Sequence, residues 1–211
     1  MYEHAVELHA PTLAATHRVA AAIAALSRTG DVVVLAGEMG AGKTAFAQGF
    51  GRSLGITEPI TSPTFTLVHS YDVPDAPGRS RLRLHHADLY RLEHTTEVAD
   101  LALIELAEDR GIVLVEWGDV VDGMFGDHLA VHLDADTDHV VAPDADTDTD
   151  TDTDTDTDAV EANRADGAVA SPSSDVDFGL DAGRAITVSA VGSSWAGRWE
   201  RLLGGVEDLR C

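Results

Sequence analysis

Gly37-Glu38-Met39-Gly40-Ala41-Gly42-Lys43-Thr44 fills every position of the pattern GxxxxGK[ST], and Ala45 continues it. The apolar run Val32-Val33-Val34-Leu35 comes before it and the helix-forming stretch Thr44–Leu54 directly after, so the string joins a buried strand to a helix. That context gives the match a physical meaning. The glycines let backbone N–H groups curl around a phosphate chain, and the N-terminus of the following helix adds its partial positive charge. In such a loop Lys43 reaches the β- and γ-phosphates, and the Thr44 hydroxyl is placed to bind Mg²⁺. The expectation is a nucleoside triphosphate held in a three-layer α/β, P-loop NTPase-like fold, with a mostly parallel central sheet.

Upstream of the loop, Thr12 is placed to cap a helix running to about Arg28, with Leu13, Val19, Ala20, Ile23 and Leu26 at helical spacing. Gly30-Asp31 ends it, and Val32–Leu35 reads as a parallel strand buried on both faces. Downstream, Gly55 suits a helix C-cap. Phe65–Tyr71 and Arg81–Ala87 both alternate around the turn Pro74-Asp75-Ala76-Pro77-Gly78, which predicts an antiparallel hairpin extending the sheet. Helical periodicity runs from about Glu93 to Arg110, with Gly111 closing it, and Ile112–Val115 is a second buried strand ending on Glu116-Trp117. His128–Leu133 and Ala185–Ala190 alternate and are expected to pair with each other. Near the end, Trp195, Trp199, Leu202, Leu203 and Val206 fall on one helical face, a stripe that reads as core packing.

Charge divides this chain unevenly. The net charge is -23, and residues 134–181, with 16 acidic groups against the single Arg164, supply -15 of it. Asp146–Asp158 is a strict Thr-Asp repeat, followed by a Ser/Ala/Asp-rich stretch with almost no large apolar residue. Such a segment cannot repay the entropy of ordering, so 134–183 is expected to be a disordered insertion at the tip of a hairpin. It would interrupt one P-loop domain made of 1–133 and 184–211. The Asp-x-Asp pattern lacks the glycine and terminal glutamate of a calcium-binding hand loop. The remainder carries -8 and shows no basic face, which argues against direct binding of nucleic acid by this chain. The only cysteine, Cys211, excludes an intramolecular disulfide framework. With no basic leader region and no apolar run of about 20 residues, the expected location is cytoplasmic.

A P-loop site needs a carboxylate at the end of a neighbouring buried strand. Glu116 fits, because it leaves a four-residue apolar strand at its C-terminal end, where ligands sit in such sheets. Asp88 closes the strand Arg81–Ala87 and shares a face with His86. It suits either the positioning of an attacking water or the capping of Leu89-Tyr90-Arg91. His85 points to the opposite face, and the pair His86/Asp88 is too sparse for a metal site of its own. Ser62 or Thr64 in Thr61-Ser62-Pro63-Thr64 lies where a switch loop would touch Mg²⁺ or the γ-phosphate. The absence of Asn-Lys-x-Asp leaves ATP as the default nucleotide, and no arginine-rich lid of a nucleotide kinase is visible. A small-metabolite kinase and a non-catalytic nucleotide-dependent adaptor remain open beside an ATPase.

Taken in order, Gly37–Thr44, Ser62-Pro63-Thr64-Phe65-Thr66-Leu67-Val68 with Tyr71, His86-Ala87-Asp88-Leu89-Tyr90-Arg91-Leu92, and Val115-Glu116-Trp117 resemble the TsaE family, over about residues 10–133. The family comprises bacterial P-loop ATPases of tRNA threonylcarbamoyladenosine biosynthesis. The resemblance implies that Asp88 matters for hydrolysis, that Glu116 lies in the magnesium environment with Thr44, and that Thr64 belongs to a switch-like loop. It also implies docking on a TsaB–TsaD pair, with tRNA reached only through that complex. The catalytic set is then Lys43, Asp88 and Glu116, the nucleotide set Gly37–Ala45 with Thr64, and the cofactors ATP and Mg²⁺. The acidic insertion has no counterpart in the family pattern and receives no role from it.

Overall fold

The computed structural model describes residues 2–63, 66–75, 81–90, 92, 98, 101–118, 123–136 and 183–211. Its strands are β1 (Tyr2–Ala10), β2 (Val32–Ala36), β3 (Val68–Asp72), β4 (Arg83–Asp88), β5 (Gly111–Glu116), β6 (His128–Ala135) and β7 (Arg184–Val191). Its helices are α1 (Leu13–Leu26), α2 (Lys43–Ser53), α3 (Leu103–Glu108) and α4 (Trp199–Gly205), the last flanked by 3₁₀ turns at Ala196–Arg198 and Glu207–Leu209.

The described strands form one seven-stranded sheet in the order β1-β7-β6-β2-β5-β4-β3. β2 lies parallel between β5 and β6, and β4 is parallel to β5. β3 closes one edge antiparallel to β4, as the alternating runs predict. At the other margin β7 runs antiparallel to β6, and β1 antiparallel to β7. Antiparallel pairing therefore flanks the parallel core on both sides, and not only at the β3–β4 hairpin.

β2 is Val-rich and buried on both faces, so its alternate residues feed two separate cores. Val33 and Leu35 join Ile23, Phe46, Phe50, Leu114 and Trp195 on the side of α1, α2 and α4. Val32 and Val34 join Val113, Val115, Leu89 and Leu103 on the side of α3. These two cores make the three layers. Thr12 caps α1 as expected, its hydroxyl accepting from the Ala15 amide at 3.2 Å. α1 and α2 pack closely because Gly49 has no side chain: a Cβ there would lie 2.8 Å from His17 Cα.

Three expectations change. The helix predicted over Glu93–Arg110 is observed only as α3; Ala102, just before it, has a left-handed backbone (φ 50°) that breaks a continuous helix, and Glu93–Glu97 lie outside the described residues. Gly111 does not close that helix but opens β5, where a Cβ would stand 2.1 Å from the Leu106 carbonyl oxygen, and Arg110 makes the left-handed turn instead. The strand β1 has no counterpart among the predicted elements. The β6–β7 ladder runs on through Asp134 and Ala135, with the Asp136 amide donating to the Gly183 carbonyl at 2.9 Å, so pairing extends slightly into the acidic stretch. Residues 137–182, including the Thr-Asp repeat, lie outside the described residues.

The C-terminal segment is fastened by a buried ion pair. The Arg198 guanidinium donates to Asp31 (Nη2 to Oδ1, 2.8 Å), to the Leu26 carbonyl at 2.9 Å and to the Ser194 carbonyl at 2.9 Å, and stacks 4.0 Å from the Trp195 ring. Trp195, Trp199, Leu202 and Val206 are buried, as the stripe predicts, although a 3₁₀ turn and a short helix replace one regular helix.

His85 sits on the face opposite His86, buried against Gly111, with Nδ1 2.8 Å from the Ser70 hydroxyl. Burial, with a smaller contribution from nearby Arg83, pushes its pKa below 6.5, while Asp109 opposes the shift. The unfolded chain then takes up the proton first on acidification. Stability from this site is complete above about 6.5 and is lost as pH falls from there towards the folded-state value. His17 is shifted the same way, chiefly by burial. Melting temperature should fall below that pH, and His85→Gln should flatten part of the fall. An unchanged acid slope in that variant would acquit His85.

Candidate functional site

The loop Gly37–Gly42 joins the C-terminal end of β2 to the N-terminus of α2. Gly37, at φ 130°, lies so close to β6 that a Cβ would sit 2.1 Å from the Leu133 carbonyl oxygen. Gly42 takes the N-cap position of α2 in a left-handed conformation, and among the described residues no side chain caps that end. An uncapped helix N-terminus with left-handed glycines before it can receive an anion. Glu38, Met39 and Gly40 form the exposed tip, with Met39 70% exposed, whereas Ala41 and Ala45 are buried beneath it.

Lys43 is buried, and its ammonium folds back on the loop, donating to the carbonyls of Gly37 (2.7 Å) and Glu38 (2.8 Å). It also lies 3.6 Å from the centroid of the Trp117 ring, a cation–π contact. Trp117, in a left-handed conformation, packs in turn on the half-exposed Tyr90, with ring centroids 4.9 Å apart.

Both predicted carboxylates arrive at the loop because β4 and β5 pair in parallel, which sets Asp88 directly beside Glu116 at their C-terminal ends. Glu116, only 3% exposed, accepts from the Thr44 hydroxyl on Oε2 at 3.1 Å. Its Oε1 meets His86 Nε2 at 2.9 Å. Asp88 divides its oxygens: Oδ1 accepts the Tyr90 amide at 3.0 Å, the capping role, and Oδ2 accepts the Ser62 hydroxyl. The loop serine is thereby tied to the carboxylate by direct contact. Thr64, the other predicted loop hydroxyl, lies outside the described residues.

Two partners in this site were not read from sequence. Arg184, the first residue of β7 and only 1% exposed, donates from Nε to the Ala41 carbonyl at 2.9 Å and packs where a side chain on Gly42 would stand. Burial lowers its pKa from the ordinary arginine value. The contact joins positions 143 apart, and no local pattern announces it. In sequence Trp117 is only the companion of Glu116; its place under Lys43 follows from the left-handed turn that ends β5.

The donor set can be matched to a cation. A threonine hydroxyl and a carboxylate oxygen are hard oxygen ligands of the kind Mg²⁺ prefers, and Thr44 and Glu116 already meet at the mouth of the loop. Among the described residues there is no group of three or more His, Cys, Asp or Glu able to hold a metal alone.

The family model described as "Threonylcarbamoyl adenosine biosynthesis protein TsaE" matches residues 10–142. A tRNA threonylcarbamoyladenosine biosynthesis protein TsaE of Bacillus subtilis is 41% identical over 107 residues, 51% of this chain and 63% of that protein. One from Nostoc is 47% identical over 96 residues, 43% of this chain and 54% of that protein, and one from Treponema pallidum is 41% identical over 106 residues, 50% of this chain and 73% of that protein. The aligned region thus spans less than two thirds of the first two relatives. A crystal structure of Bacillus subtilis YdiB superposes with a TM-score of 0.57 at 24% identity, over 99% of this chain and 97% of the other, which shows the shared fold. The order of motifs, the three-layer sheet and the matched family model agree, and the chain belongs to the TsaE family.

Proposed function

We propose that this chain is a Mg²⁺-dependent, slow ATPase that serves tRNA threonylcarbamoyladenosine formation in the cytoplasm by acting on a TsaB–TsaD pair. The observation that carries the proposal is the meeting of Thr44 and Glu116 at 3.1 Å beside the loop lysine. ATP enters along Gly37–Ala45, where loop amides and the α2 N-terminus take up phosphate charge. Lys43 exchanges its contacts with the Gly37 and Glu38 carbonyls for phosphate oxygens. Thr44 and Glu116 would hold Mg²⁺, which when bound would supply charge neutralisation on the phosphates. Asp88 orients the attacking water or, through Ser62, sets the position of the loop that carries Thr64.

Arg184 lies against the loop, with its Nε donating to the Ala41 carbonyl. A partner that completes the site would account for slow turnover in isolation. Among the described residues no helix is long and apolar enough to cross a membrane, in keeping with the location proposed. The acidic insertion within 134–183 is given no part in the reaction, and the flanking 1–133 and 184–211 are taken as one domain.

The test is steady-state ATP hydrolysis with Mg²⁺, with and without the cognate TsaB–TsaD pair, for wild type and Asp88→Ala. Turnover that rises with the pair and is lost in Asp88→Ala supports the reading. Turnover indifferent to the pair, with no complex formed in the same samples, overturns it in favour of a kinase acting on a small acceptor. Partner regulation that survives in an inactive Asp88→Ala protein would favour the adaptor.

A further inference from the structure

His86 is fully buried on β4, with Nε2 2.9 Å from Oε1 of Glu116. Register sets His86 beside Leu114 and Asp88 beside Glu116, so the imidazole and the two carboxylates stand on one face of the sheet. The other ring nitrogen, Nδ1, is buried with no hydrogen-bond partner among the described residues. A proton on Nδ1 would be a buried donor with nothing to receive it, whereas a proton on Nε2 points at a carboxylate oxygen. The arrangement therefore selects the Nε2–H tautomer.

That tautomer has a consequence for Glu116. One of its oxygens is held by the ring N–H from the interior, and the other shares the mouth of the loop with the Thr44 hydroxyl. With Oε1 held, the carboxylate cannot swing to offer both oxygens, and its plane is set before any cation arrives. We infer that His86 is a positioning residue for the cation: its Nε2–H holds Oε1 of Glu116 so that Oε2, beside Thr44, is the oxygen presented to Mg²⁺. The inference rests on the reading of this loop as a Mg²⁺–nucleotide site. Groups that hydrogen-bond a metal's ligands govern its affinity by roughly 10–100-fold. The effect should fall on the cation and spare the nucleotide, because the hydrogen bond His86 makes goes to Glu116.

The experiment titrates Mn²⁺, as a paramagnetic substitute read by electron paramagnetic resonance, into protein with ADP. The proteins are wild type, His86→Leu, His86→Gln and Glu116→Gln, and ADP affinity in EDTA is measured in parallel. Expected are Mn²⁺ binding roughly 10–100-fold weaker in His86→Leu, substantial recovery in His86→Gln, whose amide N–H can still donate, and unaltered ADP affinity in EDTA. Loss of thermal stability with unchanged Mn²⁺ affinity would make His86 a packing residue and overturn the inference. If Glu116→Gln weakens Mn²⁺ in the same series, the site reading survives that result; if it does not, the site reading itself fails. A second measurement uses folded wild-type protein alone, so it stands even if His86→Leu does not fold. The ¹⁵N spectrum of the histidine rings should show His86 protonated at Nε2 and bare at Nδ1, with Nε2 shifting when Mg²⁺ joins ADP. A proton on Nδ1, or a silent ring, overturns the inference.

Discussion

Lys43→Ala should leave a folded protein that no longer handles nucleotide. The ammonium is the cation built into the loop, buried and within 2.7 and 2.8 Å of two loop carbonyls. On the proposed reading those carbonyl contacts are exchanged for phosphate oxygens, where a preorganised positive charge in a site of low dielectric is worth far more than in water. Removing one such group from a comparable site costs about 10²–10³-fold in turnover, and the loss here should reach at least that. The fold should tolerate the change, because what is lost is hydrogen bonding within one loop, to the Gly37 and Glu38 carbonyls, while both hydrophobic cores are left intact. Each of these hydrogen bonds is worth roughly 0.5–1.5 kcal/mol net. Trp117 would lose its cation as well. Circular dichroism, a melting curve and nucleotide titration on the same sample check the prediction. A folded Lys43→Ala protein with wild-type nucleotide affinity would refute the assignment of the loop.

Arg198→Ala should act in the opposite sense, striking the fold and not the chemistry. Asp31, at the entry to β2, is buried and accepts from both ends of the Arg198 fork, with the Arg28 amide at 2.7 Å as a further donor. Truncating the arginine leaves a buried carboxylate without its counter-charge, a change that costs about 3–5 kcal/mol in comparable pairs. At roughly 2–4 °C per kcal/mol for a chain of this size, the melting temperature should fall by about 6–20 °C. The guanidinium also holds the Leu26 and Ser194 carbonyls, so the C-terminal segment should loosen from the end of α1. A double variant, Asp31→Leu with Arg198→Met, should recover much of the loss, since an apolar replacement removes both desolvation costs. Denaturant unfolding of the three proteins reads all of this. A single variant within about 0.5 kcal/mol of wild type, the range of ordinary surface substitutions, would show the pair to be dispensable.

The part of the fold legible in sequence is the part whose signals are local. Val32–Leu35, the glycine loop and Ile112–Val115 could be read because unbroken apolar runs mean strands buried on both faces. β6 and β7 could be read, even across the acidic stretch, because alternation survives in each separately. β1 carries the same alternation, with Val6, Leu8 and Ala10 buried and Glu7 and His9 exposed, but its partner strand β7 lies far along the chain and nothing local announces the pairing. The helix expected over Glu93–Arg110 is longer than α3 because nothing in the residue types marks Ala102 as left-handed. At the site, Thr44, Asp88 and Glu116 were visible from motif and strand-end position. The contacts of Ser62 with Asp88, of His86 with Glu116 and of Arg184 with the Ala41 carbonyl arise through sheet register and chain crossing, which a linear pattern does not contain.

The position of β7 bears on how the chain acquires its shape during synthesis. β1 takes its ladder from β7, and its end is bridged to Arg210 and Cys211, so an early strand leaves the ribosome long before anything it pairs with exists. Arg184 on the glycine loop and Arg198 on Asp31 are equally late arrivals. At about 5–20 residues per second, the nascent loop waits many seconds for the residues that support it. A ribosome-bound chain halted before β7 would thus lack both the strand that pairs β1 and the arginine that supports the glycine loop.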